Sequence, residues 1–316
     1  MYRSIATAFF CAASITLATA QTVPATQRIV VTFPAGGTAD VLARLVADQM
    51  GRAGGGSVVV DNRPGANSII GNEFAARAAP DGGTLLMVAN SFLITSFLRD
   101  LPYDTMKSFE PVCSLAQSPL IIIVPANSPY KTVKEFIDAT KAAPGKLAMG
   151  AIGPATAQRV AIELLSKSAG LAVNFVPYAS SVQALNAVLA GDIPSAMVAI
   201  ADAAAMAKDG RVRFLSVLTR ERVPAWKDTP TMIESGYDTA YSAWFGLLAP
   251  AKTPSTTLKA LSDIVTRAMA APELAEKMKP LEFYPSASCG AAFGEFLRAE
   301  SESTGRVVRE AGIKME

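Results

Sequence analysis

Histidine is absent from all 316 residues, which excludes every Ser-His-Asp or Cys-His nucleophile, every HExxH zinc site and every histidine proton relay. Charge of one sign is scarce too. Lys and Arg number 29 and Asp and Glu 27, and a net charge of +2 is too small to draw nucleic acid or an anionic membrane surface. No run reaches the roughly 18 uninterrupted apolar residues of a spanning helix. The GxGxxG, GxxxxGKS/T and GxSxG signatures are also missing, so no dinucleotide fingerprint, P-loop or nucleophile elbow is present. No metal and no cofactor are expected.

What is there is apolar material in quantity. Half of the residues are hydrophobic and 18% charged, enough for a folded chain with sizeable cores, and at roughly 150 residues per domain the length suggests two lobes. Arg3 precedes an apolar segment from Ile5 to Leu17 that ends in Ala18-Thr19-Ala20, the pattern of a cleaved secretory signal over residues 1–20. Cys11 lies inside it and lacks the upstream leucine of a lipoprotein signal. Loss of Arg3 leaves 28 basic against 27 acidic residues, so the mature protein is expected to be exported, soluble and nearly neutral. Cys113 and Cys289 remain. They could pair in an oxidising compartment, but separate buried thiols fit the sequence equally well, and no disulfide is predicted.

One pattern occurs twice along the chain. Arg28 to Phe33 reads as a strand, Pro34-Ala35-Gly36-Gly37-Thr38 as a turn, and Val41, Leu42, Leu45, Val46 and Met50 recur at helical spacing. Ser57–Asp61, Ile69–Ala78 and Thr84–Ala89 continue as strand, helix, strand. The second occurrence is strand Lys146–Ile152, turn Gly153-Pro154 and helix Thr156–Ala169, followed by Val173–Val176, Ser181–Ala190 and Ser195–Ile200. Such alternation predicts right-handed crossovers and a largely parallel sheet in each half. Leu120–Val124 and Ala243–Leu248 are the candidate crossings. The expected division is therefore a discontinuous first lobe, 21–120 with 243–316, and a second lobe, 121–242, with helices Thr256–Met269 and Phe293–Glu310 returning to the first.

A strand, glycine turn, helix unit places its loop at the carboxyl end of the sheet, where the helix begins with unpaired N–H groups. Gly36 and Gly37 let backbone approach a ligand closely. Each helix start favours a nearby anion by about 0.3–1 kcal/mol, so two such loops facing each other could hold a carboxylate with no charged side chain. The same residues also fit a plain turn with Thr38 or Asp40 capping the next helix, and Gly153-Pro154 fits an ordinary helix opening. Asp40 would repel an anion, so it reads as a cap or a link to the backbone. Asn90-Ser91 stands where a ligand would be met or where a helix is capped. Arg159 and Glu163 have the spacing of a surface ion pair, and Phe33 and Tyr178 could wall a pocket or a core.

The stretch Val30-Val31-Thr32-Phe33-Pro34-Ala35-Gly36-Gly37-Thr38-Ala39-Asp40 resembles the opening signature of the Bordetella uptake gene proteins, the substrate-binding proteins of tripartite tricarboxylate transporters. The likeness runs on through Val59 to Ala66, Ala79-Pro80-Asp81-Gly82, Leu101-Pro102-Tyr103-Asp104, Val176-Pro177-Tyr178 and Trp244 to Pro250, over the whole mature chain. It implies two Rossmann-like α/β lobes with a hinge, akin to type II periplasmic binding proteins. It also implies a periplasmic, monomeric protein that captures a small carboxylate and delivers it to membrane permease subunits, with no catalysis. The ligand contacts it implies are Phe33, Gly36, Gly37 and Thr38, then Asn90 and Ser91, then Gly153, Ala155, Thr156 and Ala157.

The departures bear on the ligand. Pro154 and Ala155 occupy a loop that is richer in Gly and Ser in many relatives, Arg159 stands where a His is common, and Val198 replaces a common acidic residue. A more apolar pocket is therefore expected, open to monocarboxylates or aromatic carboxylates as readily as to citrate-like acids. Two other functions fit the residues: the same clamp reporting to a signalling receptor, and an enzyme using Asp40, Asp81, Asp202 or Lys208, although no spacing among these specifies a catalytic site.

Overall fold

The computed structural model describes residues 23–314, so the expected signal peptide, with Cys11, lies outside the described residues. In chain order the elements are β1 (Thr26–Val31), α1 (Thr38–Met50), β2 (Ser57–Asn62), α2 (Ile69–Ala76), β3 (Thr84–Ala89), α3 (Ser91–Ile94) and β4 (Phe109–Pro125). Then follow α4 (Val133–Ala142), β5 (Ala148–Ile152), α5 (Ala157–Ala169), β6 (Asn174–Tyr178), α6 (Ser181–Ala190), β7 (Ser195–Ala199), α7 (Ile200–Lys208) and β8 (Val212–Val217). The chain closes with β9 (Ser242–Pro250), α8 (Ser255–Met269), α9 (Pro272–Met278), β10 (Tyr284–Pro285) and α10 (Ala291–Glu310).

The strands order as β2-β1-β3-β9-β4-β7-β5-β6, with β8 and β10 also pairing with β4. The triplets β2-β1-β3 and β6-β5-β7 are parallel, as the strand-helix alternation requires. The two strands between them are antiparallel to their neighbours. β4 joins the halves: its first part, Phe109–Pro119, pairs with β9, and from Leu120 it pairs with β7 and β8. Pro119 faces Ser242, the first residue of the returning strand, so both crossings lie side by side. Leu120 to Val124 are all 0% exposed because alternate side chains enter different cores, Leu120, Ile122 and Val124 one and Ile121 and Ile123 the other.

α1 forms because Leu42, Val46 and Met50, four apart, place a fully buried stripe against the sheet. α8 packs on α1 and β4, and α10 reaches from the first half to α5 of the second. There Val308 and Ile313 pack with Ala155 and Val160, and Lys167 pairs with Glu310. Among the described residues no helix is long and apolar enough to cross a membrane.

One sequence expectation is corrected here. Cys113 and Cys289 form a disulfide. They lie 176 residues apart, but the chain returns to pair antiparallel with β4 at that position, so sequence separation carried no information about their distance.

Candidate functional site

A cavity of about 340 Å³ lies between the two halves at the carboxyl ends of the parallel strands. Its first wall is the loop between β1 and α1. Gly36 adopts φ +80°, the left-handed region that favours glycine, and turns the chain so that its N–H donates to Asp40 Oδ2 at 2.8 Å. Asp40 is buried and also accepts from Arg44 Nε at 3.0 Å and Asn62 Nδ2 at 2.9 Å. Burial raises its carboxyl pKa, and these three hydrogen bonds outweigh burial and hold it below the ordinary value. Asp40 is thus the backbone link that its sequence position suggested. Asn62 Nδ2 fastens Phe33 O as well, at 3.2 Å.

This bracing leaves a helix start open. Gly37 caps α1 without any side-chain hydrogen bond, and no hydrogen bond among the described residues uses the N–H of Thr38 or Ala39. These donors belong to the first helical turn, which has no partners within the helix.

The other wall carries the starts of α5, α6 and α7, so Thr156, Ala157, Ser180, Ser181 and Ala199 all line the cavity. α5 and α6 are capped by their own hydroxyls: Thr156 Oγ1 accepts from Arg159 N and Ser180 Oγ from Gln183 N. Phe245 and Val182 add apolar surface. Among the described residues no Lys or Arg lines the cavity, and the one charged side chain that does is Asp202. Its Oδ1 accepts from Thr38 Oγ1 at 2.7 Å, a hydrogen bond from one half to the other. Burial pushes the Asp202 carboxyl pKa up, against the opposing pull of the Ser181 and Thr38 hydroxyls. Ser181 Oγ lies near that carboxyl yet completes no hydrogen bond of normal geometry.

Of the ten residues expected from sequence, Phe33, Gly36, Gly37, Thr38, Asn90, Ser91, Thr156 and Ala157 line the cavity. Gly153 and Ala155 do not. Gly153 N donates to Tyr178 O and its carbonyl accepts from Thr156 Oγ1, while Ala155 is 2% exposed and packs with Ile94, Val160 and Val308. Asn90 is committed to structure: its Nδ2 donates to Tyr241 Oη and Ser242 O, and its Oδ1 accepts from Trp244 N. Ser91 Oγ lies 3.4 Å from Ser68 Oγ, behind which Ala66, Asn67 and Ser68 run in left-handed conformations (φ 47°, 52° and 74°). Three successive non-glycine residues of this kind store strain behind the cavity wall.

Arg159 pairs with Glu163 and lies 4.3 Å from the Phe175 ring centroid, outside the cavity. Val198 is 0% exposed in the second core and does not line the cavity; the acidic side chain that does is Asp202, four residues on. Asp202, Ser180, Ser181 and Gln158 were missed as cavity residues. The signal for them was the same strand-turn-helix rule, applicable to β6–α6 and β7–α7 but used only where glycine marked the turn. Among the described residues no group of three or more acidic or cysteine side chains could hold a metal ion.

Two α/β halves joined by paired strands, with a cavity between them at their strand ends, define a two-lobed solute-binding protein. The model of the TctC family, described as the tripartite tricarboxylate transporter family receptor, matches residues 42–313, and the chain belongs to that family. BugT of Bordetella pertussis is 30% identical over 305 residues, 94% of this chain and 92% of that protein. Among solved structures, Rpa4515 of R. palustris with adipate superposes with a TM-score of 0.85 at 26% identity, covering 92% of this chain and 98% of that one. MatC from Rhodopseudomonas palustris with bound malate gives a TM-score of 0.81 at 26% identity, covering 90% and 98%. The resemblance to the Bordetella uptake gene proteins is therefore real.

Proposed function

We propose that the mature chain, exported by removal of residues 1–20, captures a small organic carboxylate in the cavity as a monomer and passes it unchanged to the permease subunits of a tripartite tricarboxylate-type transporter. The observation that carries this reading is the open start of α1: two unpartnered amides, Thr38 and Ala39, face a cavity that offers an anion no Lys or Arg. The adipate and malate bound by the two neighbours support the ligand class. A ligand touching both lobes has its full contact set only when they are together, so it shifts the open–closed equilibrium by its differential affinity. A micromolar Kd corresponds to about −8.2 kcal/mol, within reach of a few charge-assisted bonds and buried ligand surface. The test is thermal melting of ligand-stripped protein against a panel of monocarboxylates, dicarboxylates and tricarboxylates. Saturation at 100 times Kd is expected to add about 2.7 kcal/mol. A panel in which no carboxylate raises the melting temperature contradicts the proposal, and so does consumption of the bound ligand.

A further inference from the structure

Asp202 is a puzzle in an anion site. Among the described residues it is the one charged side chain lining the cavity, with no lining Lys or Arg to neutralise it. An ionised carboxylate only accepts hydrogen bonds and has about four lone-pair sites. Thr38 Oγ1 fills one of them on Oδ1, and among the described residues no other donor makes a hydrogen bond of normal geometry with the group, the nearby Ser181 hydroxyl included. Most of its accepting capacity is left for whatever occupies the cavity.

Position narrows what that occupant must bring. Thr38 opens α1, and its hydroxyl reaches Asp202 while its N–H is one of the two free amides. Side chains in a helix lean towards its N-terminus, so the hydroxyl and the amides address the same end of the cavity. Asp202 therefore stands one side chain away from the amides assigned to the ligand's carboxylate. An ionised acid there repels a bare carboxylate and attracts a donor attached next to it.

From this geometry we infer that Asp202 sets the ligand class, selecting a carboxylate that carries an ammonium or hydroxyl group on the adjacent carbon, C2. This inference rests on the carboxylate reading above. The donor on C2 fills the empty acceptor sites of Asp202, whereas a ligand with only hydrogen at C2 leaves a buried acid unpaired beside its own negative charge.

Two matched series test it: butyrate, 2-hydroxybutyrate and 2-aminobutyrate, and succinate, malate and aspartate, each titrated calorimetrically into wild type and Asp202→Asn. In wild type the C2-substituted members of at least one series are expected to bind about ten-fold or more tighter than their parent. Asp202→Asn keeps an acceptor for Thr38 and removes the charge, so the advantage of the ammonium compound should fall by about ten-fold and the parent acid should bind more tightly. Parent acids that bind wild type as well as their substituted analogues overturn the inference and leave the carboxylate reading standing. An unchanged ranking in a folded Asp202→Asn variant does the same. If that variant does not fold, the wild-type ranking alone decides. If neither series binds while another carboxylate raises the melting temperature, this inference falls and the carboxylate reading stands; if no carboxylate does, both fall.

Discussion

The two glycine loops look like copies in sequence, and the structure uses them differently. In the first, Asp40 turns back to hold Gly36 N, Arg44 and Asn62, and the start of α1 is left without a cap. In the second, Thr156 caps α5, its hydroxyl donates to Ile152 O and Gly153 O, and Gly153 N is taken by Tyr178. Among the described residues the first loop leaves the N–H groups of Thr38, Ala39 and Asp40 without a partner, whereas in the second the cap takes Arg159 N and leaves only those of Ala157 and Gln158 open. The second lobe adds its next two helix starts, which bring Ser180, Ser181 and Asp202 to the cavity. A strand-turn-helix pattern thus locates a wall, and capping decides how many of its amides stay open.

The lobes also differ in covalent support, because the one disulfide among the described residues ties β4 to the segment before α10. Replacing Cys113 and Cys289 by Ser is expected to cost roughly 2–5 kcal/mol, read from urea melts with and without reductant. A loss under about 1 kcal/mol would mean that the crosslink contributes little.

Asp40→Ala breaks the brace of the first loop and strands its buried partners, with an expected loss of about 2–3 kcal/mol and weaker carboxylate binding. The pH dependence carries a sign. Asp40 has a lowered folded pKa, so its contribution is complete above the unfolded carboxylate range and is lost as pH falls through the folded value. Asp202 has a raised folded pKa, so its ionisation costs stability as pH climbs from the unfolded value through the folded one. Urea melts from acid to neutral pH should therefore show a shallower acid limb in Asp40→Asn and a gain near neutrality in Asp202→Asn. Opposite slopes would reverse these assignments.

Thr156→Val sharpens the contrast, since its hydroxyl is spent on the loop. The expected cost is about 1 kcal/mol of stability, with ligand affinity little changed once folding is accounted for. A large affinity loss would return Thr156 to the ligand. Smallest is Gly36→Ala: no atom lies within 4 Å of the added Cβ, so only the left-handed backbone resists it, at about 1 kcal/mol.

Much of this was readable from the sequence where local signals were strong. Strand Thr84–Ala89 and helix Ser181–Ala190 have the bounds that pattern gives, because turn residues flank both. β4 was visible only in its apolar second part, since Pro111 and the register shifts near Cys113 and Ser114 interrupt the alternation of the first. The disulfide and the commitment of Asn90 to Tyr241, Ser242 and Trp244 depend on strands far apart in sequence, which no local pattern encodes. Asp202 was visible as a residue but not as a neighbour of Thr38, because only the folded chain brings positions 164 apart together.

The most direct test follows the backbone amide protons of Thr38 and Ala39 by NMR while a carboxylate that raises the melting temperature is titrated in. Both should shift downfield and become protected from exchange as the site fills, together and in proportion to occupancy. Saturation with both resonances unmoved would contradict the account.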